Sequence, residues 1–282
     1  MKEILGEIRK TLTPVYGYRE TEGLIRYIFG ELCGMSYTDI LLKDTKLSPE
    51  IILRIDSVVK RLLKKEPIQY IIGYTYFCGI RMKVAPGVLI PRPETAQLAN
   101  LVIKENCNEG VRMLDICTGS GCIAIALSKC IHGADVSAVD ISRLALAIAE
   151  ENALLCGVSV NFLEMDILNS EAKIVDQYDV IVSNPPYICL SEKCGMDDNV
   201  LCYEPLEALF VQDDDSIVFY RRIAEIGRGV LVPEGKLYFE INPRFSSEIV
   251  SMLNDNGYYD ILVIKDIYGK DRFVRGVKKM GM

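Results

Sequence analysis

Tryptophan is absent from this chain and histidine occurs once, as His132. With a single imidazole, a zinc site would have to rest on cysteines. The ten cysteines run from Cys33 to Cys202, yet none forms a C-x-x-C pair. Without an export signal they read as reduced and mostly buried thiols. The trio Cys189, Cys194 and Cys202 is the one metal candidate, far in sequence from His132, and no metal is expected. No apolar run approaches the roughly 20 residues needed to span a bilayer. The opening Met1–Glu7 mixes both charge signs and lacks the apolar core of a signal peptide. A cytoplasmic protein without membrane contact is the expectation. Positive charge is also short, with 32 Lys and Arg against 39 Asp and Glu. A net charge of −7 argues against duplex DNA as the main partner, because grip on phosphate backbones needs a basic surface.

What is present organises into two parts. Residues 1–72 read as a small helical domain, and 73–282 as a larger domain that opens with a hairpin linker. Ile4, Ile8 and Leu12 mark one short amphipathic helix, and Leu24, Ile25, Ile28 and Leu32 another, closed by Gly34. Ser48-Pro49-Glu50 is a helix start, with a capping hydroxyl, proline at the first helical position and an acid at the positive end. Behind it Ile51, Ile52, Ile55, Val58, Val59, Leu62 and Leu63 predict one continuous apolar face. Helices this short need to pack as a bundle. From Tyr74 to Val84 the texture turns to a hairpin around Cys78-Gly79-Ile80. The proline-punctuated run Pro86–Thr95 reads as non-helical. Beyond it, strands near 112–116, 135–139, 159–163, 178–183 and 236–241 alternate with helices, notably 142–155 and 216–228. That alternation predicts an α/β fold with a parallel sheet covered on both faces. Tyr259–Lys265 and Arg272–Val277 read as an antiparallel pair at its end.

Two segments carry the chemistry. The first is the strand Val111–Ile116 running through Cys117, Thr118, Gly119, Ser120 and Gly121 into a helix that begins near Ala124. Gly119 and Gly121 let backbone approach a bound molecule, and Asp140 ends the next strand, where it can accept from a ribose diol. This spacing fits either a nicotinamide dinucleotide or S-adenosylmethionine. Asp115, an acid at the strand end, suits an ammonium group and would repel a pyrophosphate, though it could equally cap a turn. Asp166 and Ile167, at the end of the third strand, suit an adenine amino group and the ring face. The second segment is Asn184-Pro185-Pro186-Tyr187, entered directly from the apolar run Asp179–Val182. Two prolines stop the strand in a stiff shape. The Asn184 side-chain oxygen and the Pro185 carbonyl are then two acceptors suited to a planar NH2 group, with the Tyr187 ring following. A plain proline turn is the competing reading.

These residues, in this order, resemble the class I S-adenosylmethionine-dependent methyltransferases that act on nitrogen. The finer likeness is to the peptide chain release factor glutamine methyltransferase family. It rests on Gln69–Gly73, Val88–Thr95 with its Ile-Pro-Arg-Pro-Glu-Thr core, Tyr203-Glu204-Pro205, and Lys265-Asp266 with Gly269–Arg272. The resemblance implies a Rossmann-like methyltransferase sheet behind a helical domain that binds the protein substrate. It implies methyl transfer to the amide nitrogen of the Gly-Gly-Gln glutamine in bacterial class I release factors by a monomeric enzyme. In that scheme Asn184, Pro185 and Tyr187 are catalytic, Pro186 completes the substrate clamp, and Asn184 also borders the cofactor. Asp115, Cys117–Gly121, Asp140, Asp166 and Ile167 hold S-adenosylmethionine. Two departures stand out: Cys117 replaces a frequent family glycine, and Glu240-Ile241-Asn242 replaces Glu-Ile-Gly. The alternatives are an amino-methyltransferase acting on a base of DNA or RNA, a non-catalytic scaffold and, more distantly, a nicotinamide-dependent oxidoreductase.

Overall fold

The computed structural model describes residues 1–169 and 173–280. It divides into two compact units, residues 1–73 with 197–203, and residues 74–196 with 204–282.

The first unit is helical. Its helices are α1 (Lys2–Cys33), α2 (Tyr37–Leu42), α3 (Pro49–Leu62), α4 (Ile68–Ile72) and, from the later segment, α8 (Asp198–Tyr203). The two helices expected at the start are there as the two halves of α1, which meet at a kink at Gly17, whose φ of 74° lies outside the helical region. Leu5, Ile8 and Leu12 pack from one side of the break and Ile25, Ile28 and Phe29 from the other. Helix α3 begins as its sequence predicts, with Ser48 Oγ accepting from the Ile51 amide. Its buried stripe is narrower than expected. Ile55, Val58, Val59 and Leu62 are buried, whereas Ile52 and Leu63 stand exposed at its margins. Lys65 pairs with Asp198 at 2.6 Å and the Tyr203 hydroxyl donates to the Lys64 carbonyl, which ties α8 to the end of α3.

The second unit opens with the hairpin β1 (Tyr74–Phe77) and β2 (Ile80–Lys83). Helix α5 (Pro93–Glu105) then begins inside the proline-rich run, contrary to the non-helical expectation for its last residues. Pro93 sits at the first helical position, where its missing N–H costs nothing. Strands β3 (Arg112–Ile116), β4 (Asp135–Asp140), β5 (Asn161–Glu164) and β6 (Tyr178–Ser183) alternate with α6 (Cys122–Cys130) and α7 (Arg143–Cys156). A short parallel pair, β7 (Ile188–Cys189) and β8 (Phe210–Val211), precedes α9 (Val218–Val230), β9 (Leu231–Glu240), α10 (Ser246–Asp255), β10 (Tyr258–Lys265) and β11 (Asp271–Lys278). The main sheet has seven strands in the order β10-β11-β9-β6-β3-β4-β5, parallel from β9 to β5 and antiparallel through β11 and β10. The α/β expectation therefore holds. Strand β9 starts earlier than its sequence suggests, because Pro233-Glu234-Gly235 forms an irregularity within the strand, with Glu234 at φ 66°. The sheet core is covered on both sides. Leu98, Val102, Ile125 and Leu127 lie in one buried cluster, and Tyr220, Ile223, Ile249 and Leu253 in the other.

The chain order switches direction between β3 and β6, so their carboxyl ends frame a crevice. Parallel register sets Ile116 beside Ser183, and the Ser183 hydroxyl donates to the Ile116 carbonyl at 2.6 Å. The two chemistry-bearing segments leave the sheet side by side.

Candidate active site

A cavity of about 270 Å³ opens at these strand ends. Its lining includes Cys117, Gly119, Asp140, Asp166, Ile167, Asn184 and Pro186. The other expected residues, Asp115, Thr118, Ser120, Gly121, Pro185 and Tyr187, are not among those that line it.

The glycine loop divides its labour. Gly119 has φ 54° with no atom within 4 Å of where a Cβ would sit, and it lines the cavity. It is the close-approach glycine. Gly121, at φ 77°, serves packing instead: a Cβ there would lie 2.9 Å from the Ala149 Cβ on α7. Cys117 occupies the left-handed region at φ 63°, a conformation that favours glycine. Desolvation of this half-buried residue, with the nearby charges of Asp140 and Asp115, holds its thiol well above the ordinary pKa. The Ser120 carbonyl accepts from the Asn152 amide, locking the loop to α7.

Asp115 is fully buried. Its Oδ2 accepts from the Thr118 hydroxyl at 2.6 Å and from the Ala124 amide at 3.2 Å, so the acid does brace the turn. Its Oδ1 is buried with no hydrogen-bond partner among the described residues. Desolvation pushes this carboxyl up to about 7. Asp140 accepts from the Gly119 amide at 2.8 Å and the Ser142 amide at 2.9 Å. Burial raises its pKa, and each carboxylate oxygen keeps a second lone pair for a ligand. Asp166 lies just past the end of β5 rather than within it, and its Oδ1 accepts from the Leu168 amide.

The opposite wall is assembled from distant segments. Asn184 Nδ2 donates to Thr95 Oγ1 at 3.0 Å, and that hydroxyl donates to Glu240 Oε2 at 2.7 Å. The Tyr187 hydroxyl donates to Glu240 Oε1 at 3.0 Å. Burial pushes the Glu240 carboxyl up, opposed by the two hydroxyls and by the charge of Arg272. Arg272 is itself held by buried Asp266, whose remaining contacts are the Tyr268 and Lys270 amides of the β10–β11 turn. Asn242 donates to the Tyr187 carbonyl and to Glu192. A second tie holds the Val88–Arg92 segment. Glu204, almost wholly buried, accepts from Arg92 at 2.6 Å and from the Ile90 amide at 3.1 Å. Thr95 and Glu240 have no place in the sequence-based site. Their residues lay within the quoted segments, but only the fold brings them together.

The cysteines correct one expectation. All ten are free, but only Cys122 and Cys189 are buried, while Cys107, Cys130, Cys194 and Cys202 are exposed. Among the described residues no group of three His, Cys, Asp or Glu side chains could hold a metal ion, the Cys189 trio included. Nor is any helix among them long and apolar enough to cross a membrane.

A switch-point crevice with a glycine loop on one wall and an amide on the other defines a methyltransferase of the Rossmann-like class. The family models agree: residues 95–196 match the methyltransferase small domain and residues 3–73 the PrmC N-terminal domain. A solved methyltransferase from Pyrococcus furiosus shares the fold, with a TM-score of 0.51 over 72% of this chain and 90% of that one at 18% identity. The chain is 48% identical to the release factor glutamine methyltransferase of Bacteroides thetaiotaomicron, over 97% of this chain and 99% of that protein. It is 41% identical to that of Flavobacterium psychrophilum, over 94% and 95% respectively. The chain belongs to the release factor glutamine methyltransferase family.

Proposed function

We propose that this protein transfers a methyl group from S-adenosylmethionine to the side-chain amide nitrogen of the Gly-Gly-Gln glutamine in class I release factors. The observation that carries the reading is the Asn184 amide at the cavity wall, its NH2 end tied to Thr95 and its oxygen left for a donor. The cavity fits the cofactor on three features. Asp140 on its wall has lone pairs for a ribose diol, Gly119 leaves room for close approach, and the unpartnered Oδ1 of Asp115, buried outside the lining, suits an ammonium that reaches it. Asp166 and Ile167 take the adenine amino group and ring face. When bound, the cofactor supplies a methyl group carried on a positively charged sulfur and is left as S-adenosylhomocysteine, while the methylated nitrogen gives up one proton to water.

The target nitrogen is a poor nucleophile, because its lone pair is delocalised into the carbonyl. Asn184 Oδ1 and the Pro185 carbonyl accept its two N–H groups, align it and stabilise the positive charge it gains. Alignment of this kind contributes about 7–11 kcal/mol in the best intramolecular models. Pro185 and Pro186 keep both acceptors in place, and Tyr187 backs the amide plane. The helical unit of residues 1–73 with α8 binds the body of the release factor, and the enzyme works as a cytoplasmic monomer. An assay that offers a release factor, duplex DNA and single-stranded RNA with labelled cofactor tests this reading. Label on the release factor alone is expected. Label on either nucleic acid in preference to the protein overturns it.

A further inference from the structure

The Asn184 clamp works only if the amide presents its oxygen, and not its NH2, to the substrate. Nothing in Asn-Pro-Pro-Tyr itself fixes that choice, since the two ends of an amide have nearly the same shape. We infer that Thr95 and Glu240 are the positioning residues that set it, an inference that rests on the proposed substrate clamp. The logic follows the protons. Glu240 accepts at both oxygens, from Tyr187 on one and Thr95 on the other. A threonine hydroxyl has one proton, and here it is committed to Glu240. Toward Asn184 the Thr95 oxygen can then only accept, which demands the NH2 end of the amide. A flipped Asn184 would set two acceptor oxygens against each other inside a largely buried site, with no proton between them.

The pieces come from α5, the end of β6 and the end of β9, separated by 89 and 145 residues along the chain. Thr95 and Glu240 are buried, at 3% and 1% exposure, and neither lines the cavity. The influence of Thr95 on substrate therefore passes through Asn184, and that of Glu240 through Thr95 and Tyr187. Burial and the Glu94 charge on α5 raise the Glu240 pKa, and the Arg272 charge on β11 and the two donated hydrogen bonds oppose them, favouring the acceptor-only carboxylate. The arrangement gives the threonine of Ile-Pro-Arg-Pro-Glu-Thr a defined task.

The test is steady-state methylation of a release factor by wild type, Thr95→Val and Thr95→Ser, alongside calorimetric cofactor binding. Valine keeps the shape and removes both hydrogen bonds. The expected result is a kcat lower by about tenfold or more in Thr95→Val, with KM and cofactor Kd within about threefold of wild type. Thr95→Ser retains the hydroxyl and should stay within about threefold of wild type throughout. A Thr95→Val enzyme with normal kcat, or a serine variant that falls as far as the valine one, overturns the positioning role. A valine variant whose cofactor affinity drops in step with kcat also overturns it, since the effect would then be general disruption. A wild-type protein that methylates no release factor defeats the functional reading and this inference together. A normal wild type beside an unaffected Thr95→Val defeats this inference alone.

Discussion

The two walls of the cavity are built in opposite ways. On the glycine-loop wall Asp115, Thr118, Gly119, Gly121 and Ala124 come from one continuous strand–loop–helix segment, in which the Asp115 carboxylate bonds locally while Gly119 and Ser120 reach out to Asp140 and Asn152. On the Asn184 wall the amide depends on Thr95 and Glu240, which reach it from α5 and the end of β9. The first wall brings backbone and carboxylates to a ligand. The second aims a single amide. A binding surface can be made from what the chain supplies in sequence, whereas orienting one side chain needs braces from several directions.

This contrast predicts separable failures. The largest belongs to the clamp. Asn184→Ala should lower kcat by about 10²–10³-fold while leaving cofactor affinity within a few-fold, as measured by turnover and calorimetry. A matching loss of cofactor affinity would merge the two walls into one. Next is Asp115→Asn, which keeps an acceptor for Thr118 and Ala124 but loses the charge offered by Oδ1. Cofactor affinity should fall by about ten- to hundredfold, since a hydrogen bond to a charged group is removed.

The same carboxyl sets a pH dependence. With burial pushing Asp115 up to about 7 from 3.8, the folded cofactor-free protein binds more protons than the unfolded chain between those values. Its own contribution to stability therefore declines as pH rises through that window. Binding of an ammonium needs the ionised form, so cofactor affinity should move the other way, rising roughly tenfold from about pH 6 to about pH 8. Titration calorimetry across that range, repeated on Asp115→Asn, should show the slope in wild type and its loss in the variant. The smallest effects separate the two glycines. Gly121→Ala combines a left-handed φ of 77° with a Cβ 2.9 Å from Ala149 and should cost about 2–5 kcal/mol in urea unfolding. Gly119→Ala meets open space and should cost stability only through its φ, about 1–2 kcal/mol, while weakening the cofactor more than Gly121→Ala does.

Much of the sheet was legible because β3 and β6 are short apolar runs ending in glycine or proline, where pattern and punctuation agree. The start of β9 was not, since Pro233-Glu234-Gly235 has turn chemistry but sits within a strand. Pro93 misled in the other direction, breaking the chain before it while opening α5 behind it. At the site, Asp140 and Asn184 announce themselves as strand-end polar residues beside a glycine loop and a proline pair. Thr95 and Glu240 carry no such local mark. Their contact depends on α5 packing against β9, and its reach to Asn184 depends on β9 lying beside β6, both of which are properties of the fold. Gly121 was legible as a required glycine, but its reason, the Ala149 contact across to α7, was not.

The central claim is that the amide clamp acts on a glutamine side chain. The most direct measurement incubates labelled S-adenosylmethionine and this protein with a release factor and with its Gln→Ala variant in the Gly-Gly-Gln loop. Label should enter the wild-type factor and be lost from the variant. Equal labelling of both would contradict the account.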